Sequence, residues 1–329
     1  MKNKILGALY GMAIGDSMGM PPELWGRNRV KNVFGTITDF LDGPEENEVA
    51  RNFKRGQYTD DTSQALLILD ALIENDFVPD TQIIGRYLLE WADKLNAFDN
   101  NILGPSSKAA LLAIKEGKDT TEFTSRAETN GAAMRIAPIG CLFTAKSRGQ
   151  LPEYVFQISQ VTHSTDVAVG GAAMIAAAVS SAMEDRSWDD IMQDAVDAYD
   201  VAKGLGAETY SASLSARLKL ALTIAEKYEN DEEPFLQNIY DVVGSGVMTS
   251  ESVPAALAIA YYAKEPERCS LLCANLGGDT DTIGAMATAI CGAKSGAEAI
   301  NGDWKRLIDE ANDVNLEHYA DQIMAFRKK

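Results

Sequence analysis

The chain has 329 residues, 46% of them apolar, with 48 acidic against 30 basic side chains and a formal net charge of −18. This length and composition allow a large buried core, and the negative charge opposes binding to nucleic-acid phosphates or to an anionic membrane surface. We therefore predict a globular protein that binds neither nucleic acid nor a membrane.

The N-terminal segment is predicted to be a helix. Its apolar residues recur at helical spacing over residues 5–13, and the segment reaches Asp16 before any small-residue cleavage site. We therefore predict that it is not a signal peptide and that the protein is cytoplasmic. Glycines four residues apart would line one face of this helix and let another backbone approach closely; they are Gly7, Gly11, Gly15 and Gly19.

The next stretch, from about residue 21 to residue 58, is rich in Gly, Pro, Asn and charge and is predicted to be non-helical. Connections of this length are uncommon unless they serve a function. Only VFGTITDF, residues 33–40, is a candidate strand. Asp16, just before the stretch, is interpreted as a cap or turn residue. Glu23 follows two prolines at the start of the stretch and is a candidate for a carboxylate that reaches a substrate.

Helical periodicity continues towards the C-terminus, and strand signals are nearly absent. No repeat and no Pro/Gly/Ser linker divides the chain, so we predict an all-α fold in one domain, residues 1–329. The apolar run 167–183 is mostly Ala, Gly and Ser, which indicates a tightly packed buried helix rather than a membrane span. The other predicted helices cover residues 65–73, 83–95, 107–116, 154–161, 191–202, 213–228, 252–263, 270–276, 283–290 and 304–312.

Two helix starts carry more oxygen ligands than capping requires. YTDDTSQAL (58–66) and LGGDTDTIG (276–284) each place threonines and two aspartates before an apolar helix, although one cap residue per helix would suffice. Clustered carboxylates repel each other unless cations compensate, and an all-oxygen set suits hard cations such as Mg²⁺ or Mn²⁺. If the two starts meet, they could hold two metal ions about 3.5–4 Å apart. The candidate ligands are Thr59, Asp60, Asp61, Asp279, Asp281 and Thr282.

Two other segments could face the same site. THST (162–165) contains His163, one of two histidines in the chain. Asn130, Gly131 and Ala132 form a small-residue loop whose backbone N–H groups could bind phosphate oxygens. Later in the chain, Glu251 and Ser252 are interpreted as caps of a helix that begins at Pro254.

Taken together, these motifs resemble the ADP-ribosylglycohydrolase family, and they occur in the family's order over most of the chain. The resemblance implies an orthogonal, compact, all-α multi-helix bundle whose cleft holds two divalent cations, usually Mg²⁺ and in some members Mn²⁺. It rests on the segments GALYGMAIGDSMGMPPE (7–23), YTDDTSQAL (58–66), NGAAMRIAPIG (130–140), THST (162–165) and LGGDTDTIGAMATAICGA (276–293).

The resemblance also implies roles for individual residues. It implies that the six oxygen-bearing residues of the two helix starts are the metal ligands. It also implies that Glu23 is the family's glutamate near the metals. His163 and the loop formed by Asn130, Gly131 and Ala132 match positions that hold ADP-ribose. For hydrolysis through an oxocarbenium-like state, Asp60 or Asp281 would take a proton from water, and Glu23 would assist the leaving group or shield the site.

The substrate and the oligomeric state stay open at this point. The family often carries Ser after the Asn-Gly pair, where this chain has Ala132, so one side-chain contact to phosphate is missing. The substrate is therefore an ADP-ribosylated side chain, O-acetyl-ADP-ribose, or a small free N-riboside cleaved by a nucleosidase. A monomer and a small homo-oligomer are both compatible with the sequence.

Three other classes of protein share part of this pattern. A non-catalytic ADP-ribose-binding or structural protein remains an alternative, although it would have no reason to keep all the ligand-type residues. Isoprenoid synthases require DDxxD, whereas Asp60 and Asp61 are followed by Thr-Ser-Gln. DTDTI is similar to the DxDxT motif of haloacid-dehalogenase phosphatases, but it has isoleucine at position 283 and no strand precedes it.

Overall fold

The computed structural model describes residues 1–100 and 102–328. Over those residues the backbone forms 17 α-helices and no β-sheet, which confirms the predicted all-α class. The helices are α1 Lys2–Gly19, α2 Arg27–Phe34, α3 Asp60–Glu74, α4 Thr81–Lys94, α5 Pro105–Lys115, α6 Thr121–Thr124, α7 Ala137–Gly140, α8 Leu151–Ser159, α9 Asp166–Ala182, α10 Trp188–Ala202, α11 Leu214–Lys227, α12 Glu232–Asn238, α13 Thr249–Ala263, α14 Pro266–Ala274, α15 Thr280–Ser295, α16 Gly302–Asn312 and α17 Leu316–Phe326.

The centre of the fold is the close pairing of α1 with α15. A Cβ atom added at Gly7 would lie 2.1 Å from the carbonyl oxygen of Gly292, and one added at Gly15 would lie 2.0 Å from that of Gly284. Gly11 and Gly19 meet α15 backbone in the same way. The prediction that this glycine face packs against another backbone is therefore confirmed. The pairing determines where the C-terminal half of α1 lies relative to the start of α15.

A second buried helix, α9, packs against α8, α10, α13 and α15. All its residues from Val167 to Ala182 are buried, and most of them are small. None of the helices in the described ranges is long and apolar enough to cross a membrane. The cytoplasmic location stays a prediction.

The candidate strand at 33–40 is wrong. Its first two residues end α2, and the segment then runs past α14 without a partner strand. The extended backbone at Ile37 bonds instead to the side chain of Asn275, whose Oδ1 accepts from the Ile37 N–H at 2.8 Å and whose Nδ2 donates to the Ile37 carbonyl at 2.9 Å. The β-branched residues of this segment therefore indicate a locally extended backbone, and one amide side chain, not a neighbouring strand, makes its hydrogen bonds.

Candidate metal centre

The two acid-rich helix starts meet at one end of the bundle. Thr59 is the N-cap residue of α3, and Asp279 is the N-cap residue of α15. The Thr59 hydroxyl donates to Asp61 Oδ2 at 3.0 Å and lies 3.4 Å from Asp281 Oδ2. Residues more than two hundred positions apart thus contact each other directly, as the two-metal hypothesis requires.

The carboxylates form two adjacent groups. Oxygen atoms of Asp16, Asp61 and Asp281 lie within 4.8 Å of one another, and so do oxygen atoms of Glu23, Asp279 and Asp281. Asp281 belongs to both groups. Two cations that share one carboxylate ligand would fit this arrangement, as in other two-metal sites.

Burial makes this cluster costly without a cation. Burial and then the neighbouring carboxylate of Asp61 raise the pKa of Asp16 and of Asp279 to about 7. Burial also raises the pKa of Asp61 to about 6, and the pKa of Asp281 lies well above its usual range because of burial and the nearby Glu23. The ionised form of each of these carboxyl groups is therefore disfavoured when no cation is bound.

Among the described residues, two buried carboxylate oxygens have no hydrogen-bond partner, namely Asp61 Oδ1 and Asp281 Oδ1. Orphaned buried oxygens are rare in folded proteins, and a bound ligand or a functional role usually explains them. Carboxylate and hydroxyl oxygens are the ligands that hard divalent cations prefer. The residues present therefore fit Mg²⁺ or Mn²⁺.

Asp60 and Thr282 occupy different positions in the cluster. Asp60 lines the cavity above the acids, and its Oδ2 accepts from Gln64 Nε2 at 3.0 Å. Burial and the charge of Asp61 raise its pKa well above the usual range. Thr282 lies beside Asp61, where its hydrogen bond lowers the pKa of that carboxyl group. All six predicted ligand residues therefore lie in one region.

A cavity of about 220 Å³ opens above the acids. Glu23, Asp60, Asp61, Asp279 and Asp281 form its polar side. No lysine, arginine or histidine is present among the described residues that line it. Its other walls are largely apolar and include Leu24, Val49, Ile102, Leu103, Pro105, Met134 and Val247.

The side chain of Asn130 donates a hydrogen bond to one carboxylate of the cluster. Its Nδ2 donates to Asp279 Oδ2 at 2.5 Å and to Ser252 Oγ at 3.0 Å, and its backbone N–H donates to the carbonyl of Val247 at 2.9 Å. The interpretation of Ser252 as a cap is wrong, because α13 begins at Thr249 and contains Pro254 in its interior. Ser252 instead helps to hold the amide that orients Asp279.

His163 is fully buried beneath the Asn-Gly loop and does not line the cavity. A Cβ atom added at Gly131 would come within 2.6 Å of its Cε1 atom. Its Nδ1 lies 2.8 Å from Thr162 Oγ1, and its Nε2 lies 3.0 Å from Thr129 Oγ1. Burial and Arg135 lower its pKa to about 3, so the ring is neutral. Its role in substrate binding stays a prediction. Ala132 is likewise buried and does not line the cavity, whereas Asn130 and Gly131 do line it.

Two further residues lie at the cluster, namely Arg135 and Asp16, which was predicted only to be a cap or turn residue. Asp16 accepts hydrogen bonds from the start of α3. Arg135 is a fully buried cation whose guanidinium donates to Gln64 and, at 2.5 Å, to Thr162 Oγ1. Asp60 and Asp61 hold up the pKa of this arginine, which burial lowers to about 10. A basic residue in an otherwise apolar segment, RIAPIG, was the available signal for Arg135.

The chain is similar in sequence to several known proteins. The family model for ADP-ribosylglycohydrolase matches residues 1–329. The uncharacterized protein YegU of Escherichia coli (strain K12) is 48% identical over 327 residues, which cover 99% of this chain and 98% of YegU. The ADP-ribosylhydrolase ARH3 of Bos taurus is 25% identical, with 95% of this chain and 91% of ARH3 covered.

A solved structure has the same fold. The ADP-ribosylglycohydrolase-related protein complex superposes with a TM-score of 0.71 and 22% identity, with 99% of this chain and 98% of that chain covered. The match to the family model extends over the whole length of the chain, and the helical architecture agrees with it. The chain therefore belongs to the ADP-ribosylglycohydrolase family and is a glycosidase-type hydrolase.

Proposed function

We propose that the protein hydrolyses a ribosyl glycosidic bond at a dinuclear metal centre. The observation that carries this proposal is the pair of carboxylate groups that share Asp281. The orphaned oxygens of Asp61 and Asp281 support it, because each offers a buried ligand atom that has no hydrogen-bond partner. The metal ligands in this proposal are Thr59, Asp60, Asp61, Asp279, Asp281 and Thr282.

Two bound cations, Mg²⁺ or Mn²⁺, would supply positive charge that grips the ribose diol and lowers the pKa of a bound water. Carboxylates of the protein would then accept and donate the proton. Asp60 has one oxygen held by Gln64 and lines the cavity, so we assign it, with Asp281 as the alternative, as the general base. Glu23 lines the same cavity and is the group that assists the leaving group or shields the site.

The first candidate substrate is an ADP-ribosylated one, either a protein side chain or O-acetyl-ADP-ribose. Membership of the family and the 25% identity to ADP-ribosylhydrolase ARH3 over most of both chains support this choice. In this proposal the substrate-binding residues are Asn130, Gly131, Ala132 and His163. Because His163 is buried beneath Gly131, it acts by supporting the loop that contacts the substrate.

A second candidate is a small neutral N-riboside. Its support is the cavity, which has largely apolar walls and no cationic side chain among its described lining residues. Five clustered carboxylates balance the charge of two dications and Arg135, and Glu23 adds one more negative charge, so a diphosphate placed here would meet no net positive charge. The side chain and backbone N–H of Asn130 are also already engaged.

The test is turnover of a substrate panel by the full chain with Mg²⁺ or Mn²⁺, with and without EDTA. The panel contains ADP-ribosyl-arginine, ADP-ribosyl-serine peptide, O-acetyl-ADP-ribose and unphosphorylated nucleosides. Release of free ribose or ADP-ribose that EDTA abolishes is the expected result. Binding of ADP-ribose without turnover of any member would instead favour the non-catalytic alternative.

Matched variants sharpen this test. Asp60→Asn and Asp279→Asn should lower turnover by at least about a hundredfold, because each removes a charged group from the reacting site. Asp70→Asn is the control, since Asp70 lies on the same helix, bonds to Tyr319 and is remote from the cavity. Equal activity in all three variants would refute the proposed site.

A further inference from the structure

We propose that Asp16 is a positioning residue, which caps helix α3 from a neighbouring helix and so leaves the Thr59 hydroxyl free for the metal centre. This inference rests on the proposed metal-dependent function and adds a residue outside its ligand set. It concerns how the chain prepares its ligands before any cation binds.

The start of α3 lacks the usual self-capping bond. At an ordinary helix start, the side chain of the N-cap residue accepts a hydrogen bond from the backbone N–H of the second or third helical residue. Thr59 is the N-cap residue here, yet its side chain makes no such bond. Its hydroxyl points to Asp61 Oδ2 at 3.0 Å and to Asp281 Oδ2 at 3.4 Å.

Asp16 supplies the missing acceptor. Its Oδ2 accepts from the backbone N–H of Thr62, the third helical residue, at 3.0 Å and from the Thr62 hydroxyl at 2.6 Å. Its Oδ1 accepts from the backbone N–H of Thr59 at 2.8 Å. The carboxylate thus performs the capping function of Thr59 and also fixes the backbone of Thr59 itself.

The position of Asp16 depends in turn on α15. Asp16 lies between Gly15 and Gly19, which contact the carbonyl groups of Gly284 and Thr280 at the start of α15. The same α15 turn carries Asp279 and Asp281. Asp16 therefore connects the two acid-rich helix starts, because its backbone is packed on one and its side chain is bonded to the other.

A direct metal ligand is the competing role for Asp16, since one of its oxygens lies within 4.8 Å of oxygens of Asp61 and Asp281. Three hydrogen bonds already occupy most of the roughly four lone-pair positions of a carboxylate. The geometry therefore favours capping. The two roles differ in what removal of the charge would do to the number of metal sites.

The experiment measures Mn²⁺ binding by the full chain with isothermal titration calorimetry, together with the thermal midpoint of the metal-free protein. The variants are Asp16→Asn, which keeps one acceptor oxygen but places an NH₂ group against a backbone N–H donor in the other position, and Thr62→Val, which leaves the carboxylate intact. Ile191→Val, a fully buried change on α10, is the control for a mere loss of stability.

Under a positioning role, Asp16→Asn still binds two Mn²⁺ ions, about 10- to 100-fold more weakly than the original chain. Thr62→Val, which removes only the hydroxyl bond to Asp16, weakens binding about 2- to 10-fold, and the double variant is little weaker than Asp16→Asn because the bond that Thr62→Val removes is one of those that Asp16→Asn already disturbs. Ile191→Val binds normally even where its thermal midpoint falls by as much as that of Asp16→Asn.

Other outcomes overturn the inference or the function beneath it. Unchanged Mn²⁺ affinity in both variants shows that the cap does not prepare the ligands. Loss of one of the two sites in Asp16→Asn shows that Asp16 is a ligand. Absence of Mn²⁺ and Mg²⁺ binding by the unaltered chain refutes the proposed function itself. If Asp16→Asn does not fold, Thr62→Val alone decides between weakened and unchanged affinity.

Discussion

Replacement of Gly15 by alanine tests the reasoning that backbone contact between α1 and α15 builds the site. The new Cβ atom would lie 2.0 Å from the carbonyl oxygen of Gly284 and 2.3 Å from its carbonyl carbon. Ordinary contact begins at 3.4 Å, so the helices must separate locally by about 1.4 Å. Both partners are backbone atoms in buried helices, and no flexible side chain can move aside.

Two opposing contributions determine how much Gly15→Ala changes the free energy of unfolding. Alanine is favoured over glycine inside a helix by about 1 kcal/mol. Overpacking of a tight core costs about 1–3 kcal/mol and sometimes more, and backbone-to-backbone overlap lies at the upper end of that range. We therefore expect Gly15→Ala to lower the free energy of unfolding by about 2 kcal/mol. Because Asp16 is the next residue, Mn²⁺ affinity should fall as well.

Urea denaturation of the metal-free chain, followed by circular dichroism, measures the stability change, and calorimetry measures the affinity. Gly302→Ala is the matched control, because a Cβ atom at this first residue of α16 meets nothing within 4 Å. It should leave both quantities nearly unchanged. Equal unfolding midpoints for Gly15→Ala and Gly302→Ala would refute the close-contact reasoning.

Three further predictions concern the acid cluster and the loop beside it. Because burial raises the folded-state pKa of Asp61 to about 6 and of Asp279 to about 7, the metal-free fold binds more protons than the unfolded chain between about pH 4 and pH 7. Its free energy of unfolding should therefore fall as the pH rises through that window, and saturating Mg²⁺ should reduce the fall. Urea titrations at pH 5 and pH 8 measure this change. An equal decline with and without Mg²⁺ would contradict the prediction. Asn130→Ala removes a hydrogen-bond donor to Asp279 and should weaken Mn²⁺ binding about 10-fold; unchanged affinity in calorimetry would contradict the assignment. Gly131→Ala should displace the ring of His163, because the new Cβ atom would lie 2.6 Å from Cε1. It should lower turnover more than the control Gly149→Ala, whose Cβ atom meets nothing within 4 Å. Similar turnover in the two variants would count against a role for the loop.

The helical periodicity of the sequence determined the fold class, since a buried helix needs apolar residues at a spacing that is visible along the chain. Two local signals also predicted contacts correctly. The stripe from Gly7 to Gly19 packs against α15, and the excess of acids at residues 59–61 and 279–282 marks the starts that meet. Each signal is contained in a few consecutive residues, and single-sequence reasoning can therefore detect it.

Only the tertiary structure decided how the remaining polar groups pair. Asp16 bonds to Thr62 at a separation of 46 residues, and Asn130 bonds to Asp279 at a separation of 149. Residue spacing carries no information about such partners, because hydrogen bonds at this range depend on which helices the folded core brings together. The extended segment at 33–40 shows the same limit, since a side chain of Asn275, not a strand, completes its backbone bonds. A sequence can show that a buried acid needs a partner, and the packing of the helices selects that partner.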